Sequence, residues 1–260
     1  MQLQDKTVVV TGAGSGIGKA LVKKFLAEGA NAVVAVDINA DTAAQTAEEL
    51  GCVGMAADVT KEDDIIRVIE DTEANIGPID LFCSNAGLAI GASEQSPNDE
   101  WQLIWEVNVM SHVYAARHLV PRMVQRGGGY FLNTASAAGL LNQIGGAAYG
   151  TTKHAAVGFA EWLALTYAHQ GIKVSLLCPQ AVRTAMTANM DDDATKAASG
   201  DGMMEPEQLA DIVVEHLGRE SFLILTHEEV KVYMQRKASD YDRWIGGMNR
   251  LLQKLTGQQK

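Results

Sequence analysis

Cysteine is scarce in this chain, three in 260 residues. Cys52, Cys83 and Cys178 are scattered through apolar, strand-like runs. No two have metal-ligand spacing and an odd count does not close a disulfide framework, so buried reduced thiols and no metal site are expected. Positive charge is short as well: 21 Lys and Arg against 32 Asp and Glu leave a net charge of -11 at pH 7. That argues against nucleic acid or an anionic membrane as the main partner, since both demand basic surface. No uninterrupted apolar run reaches the roughly 20 residues of a membrane span. The opening "MQLQDKTVVV" has no basic region ahead of a long apolar core, so no secretory leader is expected. There is also no low-complexity tract, linker or internal repeat. These absences lead to the expectation of one cytoplasmic domain over residues 1–260.

What is present is alternation. Strand-like runs are expected at 6–11, 31–37, 53–58, 79–85, 129–136, 173–178 and 222–225. Between them, helical patterns fall at about 16–28, 40–50, 61–75, 98–126, 149–170 and 205–217. Several strands are apolar nearly throughout, as in a parallel sheet covered on both faces. The expected fold is therefore α/β: a doubly wound Rossmann-type domain with a mostly parallel seven-stranded sheet and helices on both faces. In such a sheet a ligand belongs at the carboxyl ends of the strands.

The stretch "TGAGSGIG", residues 11–18, occupies the first strand-to-helix turn. Backbone amides and a helix N-terminus there suit a phosphate, although a bare structural turn is the plainer alternative. The spacing is T-G-x-x-x-G-x-G, built on Gly12, Gly16 and Gly18. Asp37 ends the second strand 19 residues past Gly18, near the distance expected of an acid that binds an adenosine ribose. Its alternative is a surface carboxylate. Tyr149 and Lys153 are four apart on an expected helix and so share a face, as an ordinary surface pair also would. A tyrosine with its usual pKa of about 10 is a poor proton carrier at neutral pH, and an adjacent ammonium is expected to lower it.

These pieces occur in a recognisable order: "TGAGSGIG", "DV" at Asp58-Val59, "NAG" at Asn85–Gly87, Ser136 and "YGTTK" at Tyr149–Lys153. Over about residues 6–184 the chain resembles the short-chain dehydrogenase/reductase family, in its commoner branch of similar length. The resemblance implies NAD as cofactor and Ser136, Tyr149, Lys153 and Asn108 as the catalytic group. Ser136 would bond the reacting oxygen, Tyr149 carry the proton, Lys153 hold the nicotinamide ribose, and Asn108 support a water-linked relay. It further implies Ser15 and Ile17 near phosphates and nicotinamide, Asp58 and Val59 at the adenine, and Asn85 at the adenosine ribose. Val182 and Thr184, after Pro179, would hold the carboxamide. Two positions depart from the family: Ser84 replaces the first Asn of Asn-Asn-Ala-Gly, and Gln180 replaces the glycine after Pro179.

The substrate side is expected to be apolar, with Leu88, Ile90, Leu140, Leu141 and Ile144 on lining loops. Residues 184–205 correspond to a substrate lid, in which Met186, Met190, Met203 and Met204 line the pocket or fill the lid's own core. Asp191–Asp193 is expected to face water, and the direction of Arg183 is open. The implied activity is hydride transfer between NAD and a hydrophobic secondary alcohol or ketone. A dinucleotide-binding regulator without catalysis and an epimerase or dehydratase on the same scaffold are the alternatives. Apolar residues on several faces of two long helices (Trp101, Ile104, Trp105, Val109 and Val113; Val157, Phe159, Trp162 and Leu165) imply a homodimer or homotetramer. In the extension at 227–260, Trp244, Met248, Leu251, Leu252 and Leu255 recur at helical spacing. That stripe is expected beside the lid or across a subunit interface. Packing on its own domain is one alternative; lying on a membrane surface, with Arg243, Arg250 and Lys254 flanking it, is another.

Overall fold

The computed structural model describes residues 1–188 and 200–257. Seven strands form one sheet in the order β3-β2-β1-β4-β5-β6-β7, and every neighbouring pair is parallel. They are β1 (Thr7–Thr11), β2 (Ala32–Asp37), β3 (Val53–Ala56), β4 (Leu81–Ser84), β5 (Gly129–Thr134), β6 (Ile172–Cys178) and β7 (Leu223–Leu225). Strand order reverses beside β1, whose neighbours are β2 and β4, so a crevice opens at that point. The central strands β1, β4 and β5 are buried nearly throughout, which is why they read as continuous apolar runs; β3, at the edge, is mostly exposed.

One face is covered by α1 (Gly16–Ala27), α2 (Ala40–Leu50) and α9 (Pro206–Gly218). The other is covered by α3 (Glu62–Asn75), α5 (Ser111–Gln125) and α7 (Ala147–Tyr167). Two apolar cores result. Val8, Val10, Leu21 and Phe25 anchor the first; Val9, Phe82, Leu119 and Phe131 anchor the second. The alternation of neighbouring β1 side chains between the two cores follows from the period of two along a strand.

The long helix expected over 98–126 is interrupted. It runs as α4 (Asn98–Trp105), a π-helical segment Glu106–Met110, and then α5. The amide of Ser111 reaches the Glu106 carbonyl, five residues back, so one extra residue is accommodated in this turn. Short helices α6 (Ala138–Leu141) and α8 (Ala185–Ala188) were not expected from the sequence, nor was α10 (Glu229–Ser239). The tail stripe does form a helix, α11 (Tyr241–Leu255), which Asp240 caps by accepting from the Arg243 amide at 2.9 Å. It packs on α10, with the Tyr233 and Trp244 rings 6.4 Å apart. Trp244, Met248, Leu251 and Leu255 are half-buried, while Tyr241, Ile245 and Leu252 are exposed. Among the described residues, no helix is long and apolar enough to cross a membrane.

Candidate active site

The carboxyl ends of the central strands open on one cleft of about 510 Å³. Its walls include Gly12, Ser15, Gly16, Ile17 and Gly18 after β1, Asp37 at the end of β2, Asp58 and Val59 after β3, and Asn85 after β4. Ser136 lies just past β5, and Pro179, Val182 and Thr184 follow β6; all four also line the cleft. Tyr149 and Lys153 enter from the first turns of α7. Asn108 alone of the expected residues is fully buried behind the wall.

The glycines work by close approach. Gly12 has φ 64, and a methyl group there would lie 2.9 Å from the Cα of Ala86 on the facing strand end. A methyl on Gly18 would collide with the Gly12 carbonyl, so α1 starts as near to β1 as backbone allows. Ser15, the N-cap of α1, makes no side-chain capping bond, and no acidic residue sits in the first turn. The first amides of α1 are thereby left to a ligand in the cleft, and a diphosphate fits that donor set. At the far end, Asn85 links three strands: its Nδ2 donates to the Thr11 carbonyl at 3.0 Å and its Oδ1 accepts from Thr134 Oγ1 at 3.3 Å. Asp58 accepts from the Thr60 amide at 3.0 Å and the Thr60 hydroxyl at 2.7 Å, fixing the turn into α3.

On the reactive side, Lys153 Nζ donates to the Thr134 carbonyl at 3.1 Å and lies 5.8 Å from the centre of the Tyr149 ring. Ser136 Oγ donates to the Pro179 carbonyl at 3.3 Å and accepts from the Ala138 amide at 3.1 Å. Burial pushes the Lys153 amine down to about 8. The Tyr149 phenol is raised above its ordinary value by desolvation, which the Ser136 hydroxyl opposes. This is opposite to the lowering expected from the ammonium: loss of hydration sets the direction, and the opposing contribution comes from Ser136. Asn108 stands in the π-helical segment. Its Oδ1 accepts from the Leu88 amide at 2.9 Å, and its Nδ2 donates to the Leu88 carbonyl at 3.0 Å and to Thr152 Oγ1 at 3.1 Å. It therefore holds the chain that leaves β4 against α7.

Below Lys153 lies a buried polar group. Ser84 on β4 is in register with Asn133 on β5, and His112 of α5 lies near Asn133; all three are buried. Neither ring nitrogen of His112 meets hydrogen-bond geometry with a described residue, nor do Ser84 Oγ and Asn133 Nδ2. Burial first, and the Lys153 charge second, push His112 down to about 3, with the Asn133 amide opposing both.

The substrate end differs from expectation. Leu88 lines the cleft, but Ile90, Leu140, Leu141 and Ile144 do not; Leu103, Val107, Gln143 and Met186 do. Leu140 is drawn into the α5–α7 core by α6, and Asn142, at φ 72, turns the chain before Gln143. A loop carries no periodicity from which these directions follow. Met204 packs with the α1–α9 core, and Met203 beside it is half-buried. Met190 and Asp191–Asp193 lie outside the described residues. Arg183 donates from Nε to Glu205 Oε1 at 2.7 Å. Gln180 lines the cleft with negative φ, so a side chain there strains nothing in the backbone. The three thiols are unbridged; Cys83 and Cys178 are buried and Cys52 is partly so. Among the described residues no cluster of three metal-ligating side chains exists.

The family model for the short chain dehydrogenase matches residues 6–195. The chain belongs to the short-chain dehydrogenase family. It is 33% identical over 254 residues to the 1-deoxy-11-beta-hydroxypentalenate dehydrogenase of Streptomyces exfoliatus, covering 94% of this chain and 91% of that one. It is 34% identical over 196 residues to 3beta-hydroxysteroid dehydrogenase 2 of Eggerthella lenta, covering 72% and 75%. Among solved structures, a short chain dehydrogenase/reductase of Burkholderia phymatum in complex with NAD superposes with a TM-score of 0.85 at 25% identity, over 93% of this chain and 96% of that one. The 3-ketoacyl-(acyl-carrier-protein) reductase of Brucella melitensis complexed with NADH gives 0.79 at 28% identity, over 86% and 97%. This is an oxidoreductase family whose similar members carry the names of dehydrogenases of hydroxylated substrates.

Proposed function

We propose that this chain is an NAD-dependent oxidoreductase acting on a fairly hydrophobic secondary alcohol or its ketone. The observation that carries the reading is the meeting of Ser136, Tyr149 and Lys153 with the glycine turn in a single cleft. Gly12, Ser15, Gly16, Ile17 and Gly18 would hold the diphosphate, Asp37 and Asn85 the adenosine ribose, and Asp58 and Val59 the adenine. Lys153 would hold the second ribose, and Pro179, Val182 and Thr184 would hold the carboxamide. When bound, the nicotinamide supplies hydride exchange and, oxidised, a positive charge that favours a phenolate nearby. Tyr149 takes the hydroxyl proton of an alcohol, or returns it to a ketone oxygen. Ser136 orients that oxygen, and Asn108 keeps Leu88 and α7 in place beside it. Leu88, Leu103, Val107 and Met186 supply an apolar wall.

The reading includes one domain over 1–260 with a substrate lid at about 184–205, a C-terminal extension at about 227–260, a cytoplasmic location and a homodimer or homotetramer. Turnover of NAD(H) with a panel of secondary alcohols and ketones tests it. Activity on apolar members of the panel is expected. No turnover of any member, with NADH bound normally, would make the chain a dinucleotide-binding protein of another role.

A further inference from the structure

Gln180 stands where the family pattern has glycine, and its surroundings show what the side chain does. Its Nε2 donates to Asp201 Oδ2 at 2.9 Å. The other oxygen of that carboxylate, Oδ1, accepts from the Tyr233 hydroxyl of α10 at 3.0 Å. Desolvation, with Asp201 adding to it, raises the Tyr233 phenol, so this tyrosine stays a neutral donor. The Gln180 amide also donates to Thr226 Oγ1 at 3.3 Å, and Thr226 pairs with His227 Nδ1 at 2.9 Å; both residues are buried just before α10. The Pro179-Gln180 loop is thus tied to the C-terminal segment through its backbone and its side chain.

The same helix reaches the opposite wall. Lys237, four residues beyond Tyr233 and so on the same face, donates from Nζ to the Leu140 carbonyl of α6 at 2.7 Å. α6 begins two residues after Ser136, and Ser136 itself bonds the Pro179 carbonyl. One face of α10 therefore spans from the loop carrying Ser136 to the loop carrying Gln180.

We propose that Asp201 and Tyr233 are positioning residues of the substrate site, holding the Gln180 side chain at the rim of the cleft so that α10 sets which alcohol or ketone is accepted. The proposal rests on the oxidoreductase reading above. A glutamine has three rotatable bonds; pinning its amide to Asp201 turns a mobile chain into a fixed wall, and the ordering is complete before substrate arrives. Neither residue touches the reacting atoms, so the effect falls on substrate affinity and selectivity and leaves the cofactor half alone.

The experiment compares wild type with Tyr233→Phe, Asp201→Ala, Gln180→Ala and the Asp201→Ala/Gln180→Ala pair. It reads KM and kcat for the best alcohol of the panel, NADH affinity by fluorescence, and amide hydrogen exchange over residues 180–183. Loss of one such hydrogen bond predicts a rise in KM of about fivefold with kcat nearly unchanged. NADH affinity stays within twofold, exchange at 180–183 is faster, and Asp201→Ala adds little once Gln180 is alanine. Tyr233→Phe keeps the ring packing on Trp244, so misfolding does not obscure the result. KM unchanged in all three single variants of an active enzyme overturns the brace and spares the oxidoreductase reading. A wild type that turns over nothing overturns that reading instead; unaltered exchange at 180–183 then rejects the brace, and faster exchange upholds the hold on Gln180.

Discussion

The Asp37 carboxylate accepts from the Gly14 amide at 2.9 Å, joining the tip of β2 to the glycine turn after β1. Its second oxygen accepts from the Asn39 amide at 3.1 Å. Both bonds leave a fixed negative charge on the wall of the cleft, where an adenosine ribose would lie.

A 2′-phosphate, with nearly two negative charges, would meet that carboxylate; among the described residues lining the cleft the one Lys or Arg is Lys153, at the reactive end. NAD is therefore expected over NADP. Asp37→Ala combined with Ile38→Arg should shift relative kcat/KM toward NADP; Ile38 is exposed beside Asp37 and tolerates the change. A wild type that prefers NADPH would refute this assignment.

Tyr149→Phe removes the proposed proton carrier and little else. Turnover should fall on the order of 10²–10⁴-fold, with NADH affinity close to wild type. Retention of more than about a tenth of the rate would assign the proton to another group.

Lys153 ties stability to pH. The folded protein releases its proton near pH 8, whereas the unfolded chain holds it to about 10.5. Between those values the unfolded state binds more protons, so stability rises with pH across that window. Relative to Lys153→Met, wild type should be the less stable protein at pH 7 and regain a few kcal/mol by pH 10.5. Urea denaturation at several pH values measures the gap; a constant gap would show that the amine is not desolvated.

His112 acts in the acid range. Its ring is protonated at about 3 in the folded protein and near 6.5 when unfolded, so stability falls as pH drops through that interval. His112→Leu should flatten the loss between pH 6.5 and 3. An acid transition unmoved by the change would place the lability elsewhere.

Assembly is the remaining expectation. Ile104, Val109 and Val157 are buried within the chain itself, so only part of the apolar surface expected to need a partner does. Leu103, Trp105, Trp162 and Leu165 are left at 46%, 39%, 51% and 83% exposure, too much large apolar surface for isolated helices. A twofold pairing of this chain is expected, and light scattering should return a multiple of 27.8 kDa. A monomer at micromolar concentration would exclude it.

The sheet was readable because parallel strands buried on both faces leave unbroken apolar runs, and because Gly12, Gly18 and Asp37 have spacings that follow from backbone approach. What escaped has physical reasons. α10 buries only Val230 and so carries little periodic signal. Leu140 falls in a helix of only four residues and Gln143 on the loop after it, and neither is long enough for spacing to encode direction. The raised Tyr149 phenol reflects desolvation by residues distant in sequence, and Asp201 meets Gln180 across 21 positions. The tail stripe was recognised, but its described contacts are with α10.

The wide turn at Glu106–Met110 bears on how this protein can change. A helix with one surplus residue is less regular than its neighbours, and deleting that residue would restore ordinary winding from α4 into α5. The same deletion would rotate everything before it by about 100° relative to α5. Asn108 would then lose its grip on Leu88, while Trp105 and Leu103 would swing to a different side. A shortened variant could gain helical regularity only by giving up this wall of the cleft.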